Sequence, residues 1–159
     1  MTGPLVALVL LAACSAPDPL VVGGTTVTYT GSPPPSCSPT KVVETVQTFL
    51  DAFNRGDQAA LRGIFQRSVI FSSQDSPSAG FFLSSGQQSL LDYFARRHEH
   101  GEMLELTALH IQYREATSEA GLAPTIDRRA DDRAPAVITA KGAIDCSDRA
   151  IILWNQGGS

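Results

Sequence analysis

Apolar and polar positions alternate with helical spacing across the stretch Val42–Phe65. Val42, Val43, Val46, Phe49, Leu50 and Phe53 form one stripe, and Glu44, Gln47, Asp51 and Asn54 lie opposite. Ser38-Pro39 supplies a start: the serine oxygen can take an orphan amide, and proline has no N–H to lose in a first turn. Gly56 supplies the stop. Asp57 then caps a second, short helix carrying Ala59, Ala60, Leu61, Ile64 and Phe65. Such a pair cannot bury its stripe alone and needs a sheet.

The pattern downstream supplies that sheet. Ser68–Ser73 reads as a strand, Ser72–Gly80 as a loop and Phe81–Ser84 as a short second strand. Gly86–Arg97 is a third helix with Leu90, Leu91 and Phe94 on its apolar side and Tyr93 at the border. Arg96, Arg97 and His98 suit the negative end of its dipole, and Gly101 ends it. Glu102–Ala116 is a long strand whose inward set changes parity near Thr107-Ala108, from Leu104 and Leu106 to Leu109, Ile111 and Tyr113. One inserted residue, a bulge, produces that switch and bends the strand. Thr117–Arg133, polar and charged with Gly121 and Pro124, is expected to be a long mobile connection. Pro135–Ile144 and Ala150–Trp154 form a final hairpin turning at Cys146-Ser147-Asp148.

Ahead of the helices the pattern is different. Leu5–Ala13 is an apolar run too short to span a bilayer, and it reads as a secretory core. Leu11-Ala12-Ala13-Cys14 resembles the lipobox of bacterial lipoproteins, whose cysteine is lipidated, although no Lys or Arg precedes the run. The expected division is a signal peptide over 1–13, a lipidated tether over 14–37 and a folded domain over 38–159. Val21-Val22 and Thr25–Tyr29 have strand propensity, but TGSPPPSCSP has the composition of a linker. Lipid on Cys14 would hold the chain to a membrane at about 0.8 kcal/mol per buried methylene.

At 159 residues the chain has room for one domain, and 43% apolar residues suffice for one core. A formal charge of −4 leaves no electrostatic footprint for nucleic acid. With Cys14 lipidated, Cys37 and Cys146 remain as an even pair, which an oxidising compartment would join. The alternative is two separate thiols.

FLDAFNRGDQAALRGIFQRSVIF (49–71) resembles the opening of the NTF2-like (SnoaL, ketosteroid-isomerase-like) superfamily, and APAVITAKGAIDCSDRAIILW (134–154) resembles its last two strands. The resemblance covers roughly residues 40–155 and implies an α+β cone: three helices in the concavity of a curved, mostly antiparallel sheet. Isomerase-type members place a Tyr on the first helix and an Asp at the end of the first strand. Those positions fall near Phe49 and Ser73, neither of which can do the work. Asp75 and Tyr113 are the remaining acid–base candidates.

Metal chemistry finds little support. His98 and His100 lie two apart on a helix and do not share a face, so His98, Glu99, His100 and Glu102 read as a solvated helix end. His110 reads as a surface residue of the sheet. No GxSxG, P-loop or HExxH is present, and no cofactor is implied. Phe53, Phe71, Leu90, Phe94, Leu109, Tyr113, Ile138 and Trp154 are the candidates for an apolar ligand pocket, with core filling as the competing reading. His110, Gln112, Arg114, Thr139 and Lys141 make the outer sheet face polar, which favours a monomer. The expectation is a membrane-tethered, extracytoplasmic, non-enzymatic module that binds a small apolar ligand or an envelope protein. The alternative is an isomerase- or dehydratase-type enzyme.

Overall fold

The computed structural model describes residues 18–74, 81–115 and 117–157. In chain order its elements are β1 (Leu20–Val22), β2 (Thr25–Thr30), a 3-10 turn (Pro35–Cys37), α1 (Pro39–Asn54), α2 (Gln58–Ile64), β3 (Phe65–Gln74), β4 (Phe81–Ser85), α3 (Gln87–Glu99), β5 (Met103–Tyr113), β6 (Glu119–Ala130), β7 (Arg133–Asp145) and β8 (Ala150–Gly157). No helix among the described residues is long and apolar enough to cross a membrane.

The helical pair forms where its signals lie. Ser38 Oγ accepts from Lys41 N at 3.5 Å, and Asp57 Oδ1 accepts from Ala60 N at 2.9 Å. Gly56 takes φ +65°, and a Cβ there would come within 2.7 Å of the His98 ring, so both conformation and space require glycine. α1 buries Val42, Val43, Val46, Phe49, Leu50 and Phe53.

These residues pack on one sheet of order β1-β2-β5-β6-β7-β8-β3-β4. The pairs β2·β5 and β3·β8 are parallel and the others antiparallel. The fold is therefore α+β, with three helices against a curved, open, mixed sheet. The β5–β6 register shifts between Leu106 and Ala108, where the parity of the sequence changes. Leu104 and Leu106 are buried before the bulge, and Leu109, Ile111 and Tyr113 after it.

Two segments depart from expectation. Thr117–Arg133 is not a loop: most of it is β6, a strand paired on both sides. Its inward set is Ala120, Leu122, Pro124 and Ile126, whose alternation is weak in the sequence because the positions between them, Gly121, Ala123 and Thr125, are small and uncharged. Pro124 sits inside the sheet because the β6–β7 ladder skips it, running from Leu122↔Gly142 to Thr125↔Thr139. The second departure is at the N-terminus. β2 pairs in parallel with β5 from Thr26↔Ala108 to Thr30↔Gln112, and Thr25 and Val27 are buried. Leu20–Thr30 thus belongs to the sheet rather than to a tether ending at 37. The proline-rich run that follows is a connection within the domain.

Cys37 and Cys146 form a disulfide, with Cα atoms 5.1 Å apart and 109 residues of separation. It ties the turn before α1 to the end of β7.

Candidate functional site

The expected apolar pocket falls in the interior of the cone, between helices and sheet. Phe49 meets Phe65, Phe94 and Trp154 with ring centroids 5.3, 5.5 and 5.1 Å apart. Phe94 also meets Phe53 at 5.6 Å and Phe71 at 5.4 Å. These are separations of rings in direct contact. Phe53, Phe71, Leu90, Phe94, Leu109 and Trp154 are each at most 2% exposed, and Ile138 packs half-buried against them. They fill the core instead of lining an open pocket. Tyr113 stands apart, edge-on to Tyr29 at 6.1 Å.

At the rim of this aromatic core lies a charged cluster that the sequence reading placed in water. Arg97 and Glu102 are 8% and 4% exposed. Arg97 Nε donates to Glu102 Oε2 at 2.7 Å, Nη2 donates to Oε1, and Nη1 donates to Gln156 Oε1 at 2.6 Å. The guanidinium lies 5.5 Å from the Phe53 ring centroid and 5.3 Å from that of Tyr93. The cluster joins α3, the start of β5 and the end of β8. A helix C-terminus rich in Arg and His gave no sign that one of its arginines turns inward.

An open concavity lies elsewhere, on the far side of α1. It is a cleft of about 560 Å³ lined by residues of the β1–β2 turn, α1, β5 and β6. Its origin is a shortfall of strand. β2 pairs with β5 only from Ala108 onward, so the Met103–Leu106 edge of β5 has no neighbouring strand there. Side chains seal it: Asn54 Nδ2 donates to Leu104 O and Asn54 Oδ1 accepts from Leu104 N, each at 2.8 Å. Thr25 Oγ1 donates to Leu106 O at 3.2 Å. With both backbone groups of Leu104 and the carbonyl of Leu106 satisfied, the cleft offers side chains. Leu50, Leu104 and Leu106 give it an apolar floor, and Asp51, Glu105, Asp127 and Arg129 a charged rim. None of the eight expected pocket residues is among its lining. Among the described residues no group of three His, Cys, Asp or Glu side chains is placed to hold a metal ion.

No protein-family model matches the chain, and no curated protein sequence does either. Solved structures do. An isomerase candidate from Bacillus subtilis is similar at TM-score 0.58 and 15% identity, over 73% of this chain and 84% of that one. A ketosteroid isomerase candidate from Shewanella frigidimarina is similar at TM-score 0.57 and 9% identity, over 74% and 94%. A protein described as NTF2 with a long sheet is similar at TM-score 0.56 and 13% identity, over 73% and 99%. The fold is NTF2-like. At these identities the likeness speaks for architecture, and function must be argued from residues.

Within this NTF2-like frame Phe49 is 1% exposed and has no proton to give, and Ser73, also 1% exposed, is no base near neutrality. Asp75 and Cys14 lie outside the described residues. Burial, reinforced by Tyr29, pushes the Tyr113 hydroxyl up to about 12. A phenol that keeps its proton so firmly is a poor base. Its oxygen is buried and finds no hydrogen-bond partner among the described residues. Tyr113→Phe should therefore raise stability by about 1 kcal/mol. The gain should grow in alkali. Unfolded tyrosine ionises near pH 10 and the folded one near 12. The wild type alone thus loses stability as pH climbs through that interval. Urea titrations of both proteins near pH 8 and pH 11 would show the widening gap, and a constant gap would contradict it.

Proposed function

We propose that the chain is a non-enzymatic binding module of the cell envelope, anchored by lipid on Cys14, whose ligand site is the α1–β5 cleft. The observation that carries this reading is the Phe49 ring. By the sequence resemblance it falls near the position of the catalytic phenol in isomerase-type members, and its ring is locked among Phe65, Phe94 and Trp154. An interior filled in this way leaves a substrate neither space nor a proton donor at that position. The Cys37–Cys146 disulfide supports an oxidising compartment.

The cleft alters the expected ligand. Its apolar floor suits an aliphatic group, and three carboxylates against one guanidinium on the rim favour a positive charge. The ligand is therefore an amphipathic cation, such as the lysine-bearing segment of an envelope protein, rather than a purely apolar molecule. A short peptide of alternating Lys and Leu, titrated into the full chain, should shift the amide resonances of Gln47, Asp51 and Glu105. Its Glu–Leu counterpart should not. Glu105→Gln with Asp127→Asn should weaken binding about fivefold, the value of two solvent-exposed charge pairs. Equal affinity for both peptides, or shifts confined to Phe53 and Trp154, would overturn the assignment.

A further inference from the structure

We infer that the domain lies directly on the membrane with its β1 edge against the lipid headgroups; the inference rests on the lipid anchor at Cys14. A tether running to residue 37 would let the domain stand well clear of the bilayer and turn freely. The structure removes most of that length. Leu20 already pairs with Val27, so the sheet begins six residues after Cys14. Six steps of fully extended chain span at most about 22 Å. A domain of this size has a radius of gyration of about 14 Å and is roughly 35–40 Å across. A leash shorter than the body it holds cannot let that body turn over.

The surface brought down by so short a leash has suitable chemistry. Val21 is 68% exposed and Leu20 40%, an apolar pair at the sheet margin. Beside Val21 in register is Thr26, followed along β2 by exposed Thr28 and Thr30. The adjoining positions on β5 are His110 and Gln112, and the His110 ring is hydrogen-bonded to Thr28 at 2.9 Å. The nearest carboxylate in the chain is Asp18, two residues before β1. A band of threonine with Val21 on the same face can enter the headgroup layer without stranding a row of charges there, while Leu20, paired with buried Val27, adds apolar surface on the other side of the edge strand. At the far end of the sheet β4 carries Leu83, 63% exposed, seven strand positions from β1. At about 4.8 Å per strand the path across the sheet between them is roughly 34 Å. The orientation also sets the α1–β5 cleft close to the bilayer, because Gly23 on its lining follows Val22 directly.

Two single tryptophan substitutions test this, Val21→Trp and Leu83→Trp, both at exposed positions that leave the core intact. Trp154, buried in the core, adds the same background to each. The full lipidated chain is placed in phosphatidylcholine vesicles containing nitroxide-labelled headgroups, and its intact mass is measured first. Val21→Trp should be quenched several-fold more strongly than Leu83→Trp. Equal quenching, or none at Val21→Trp, in a chain that carries the lipid overturns the orientation and leaves the anchor standing. A mass without lipid overturns the anchor, and the orientation with it.

Discussion

Glu102→Ala should destabilise the protein by about 3–5 kcal/mol, the usual cost of removing one partner from a buried ion pair. The carboxylate takes two hydrogen bonds from Arg97. Around that guanidinium stand the rings of Phe53 and Tyr93, which attract a cation but cannot neutralise it. Gln156 would remain as an acceptor, yet an amide oxygen carries no charge. The effect should appear as a lower urea midpoint with an unchanged slope. A control separates loss of the pair from loss of packing. Arg97→Met combined with Glu102→Leu removes both charges and keeps the volume, and it should recover most of the stability. If Glu102→Ala costs less than about 1 kcal/mol, the pair is not as dry as the geometry makes it.

The second large effect concerns the disulfide. Cys37→Ser with Cys146→Ser should cost about 4–5 kcal/mol, because the bridge closes a loop of about a hundred residues and so restricts the unfolded chain strongly. Both sulfurs are buried, with each cysteine 2% exposed, so serine hydroxyls in their place add a desolvation cost. Dithiothreitol should lower the wild-type urea midpoint towards that of the double variant and leave the variant unchanged. A wild type indifferent to the reductant would refute the bridge as a source of stability.

What the sequence disclosed follows a physical division. α1, its cap and its glycine stop were legible because they depend on residues within one or two turns. The bulge was legible because a parity switch is local: Leu106 and Leu109 cannot face the same side of a regular strand. The disulfide was legible from cysteine number, once Cys14 was set aside and an even pair remained. Three features were not. β2 gains its place through a parallel partner 82 residues away, and its Thr-rich composition next to SPPPSC resembles a linker. β6 shows little alternation because Gly121, Ala123 and Thr125 separate its buried positions, and it carries a proline at its centre. Arg97 and Glu102 are five residues apart at a helix end, where water is the usual partner; only their burial beneath the aromatic core makes them a pair. The site was misplaced for a related reason. Periodicity identifies which side chains face inward, but it does not reveal whether seven rings meeting there leave a hole. The cleft arises where β2 falls short along β5, a mismatch of strand ends that no single stretch of sequence contains.

The strand order has a consequence for biogenesis. Thr28 and His110, 82 residues apart, must find each other before β2 can join, and Phe71 must find the equally remote Trp154. Long closures of this kind put folding in the slow range, milliseconds to seconds, because chain entropy is lost before the pairing rewards it. β3 therefore lacks its β8 neighbour until the C-terminal strand has been made, and the sheet is completed only at the very end of synthesis.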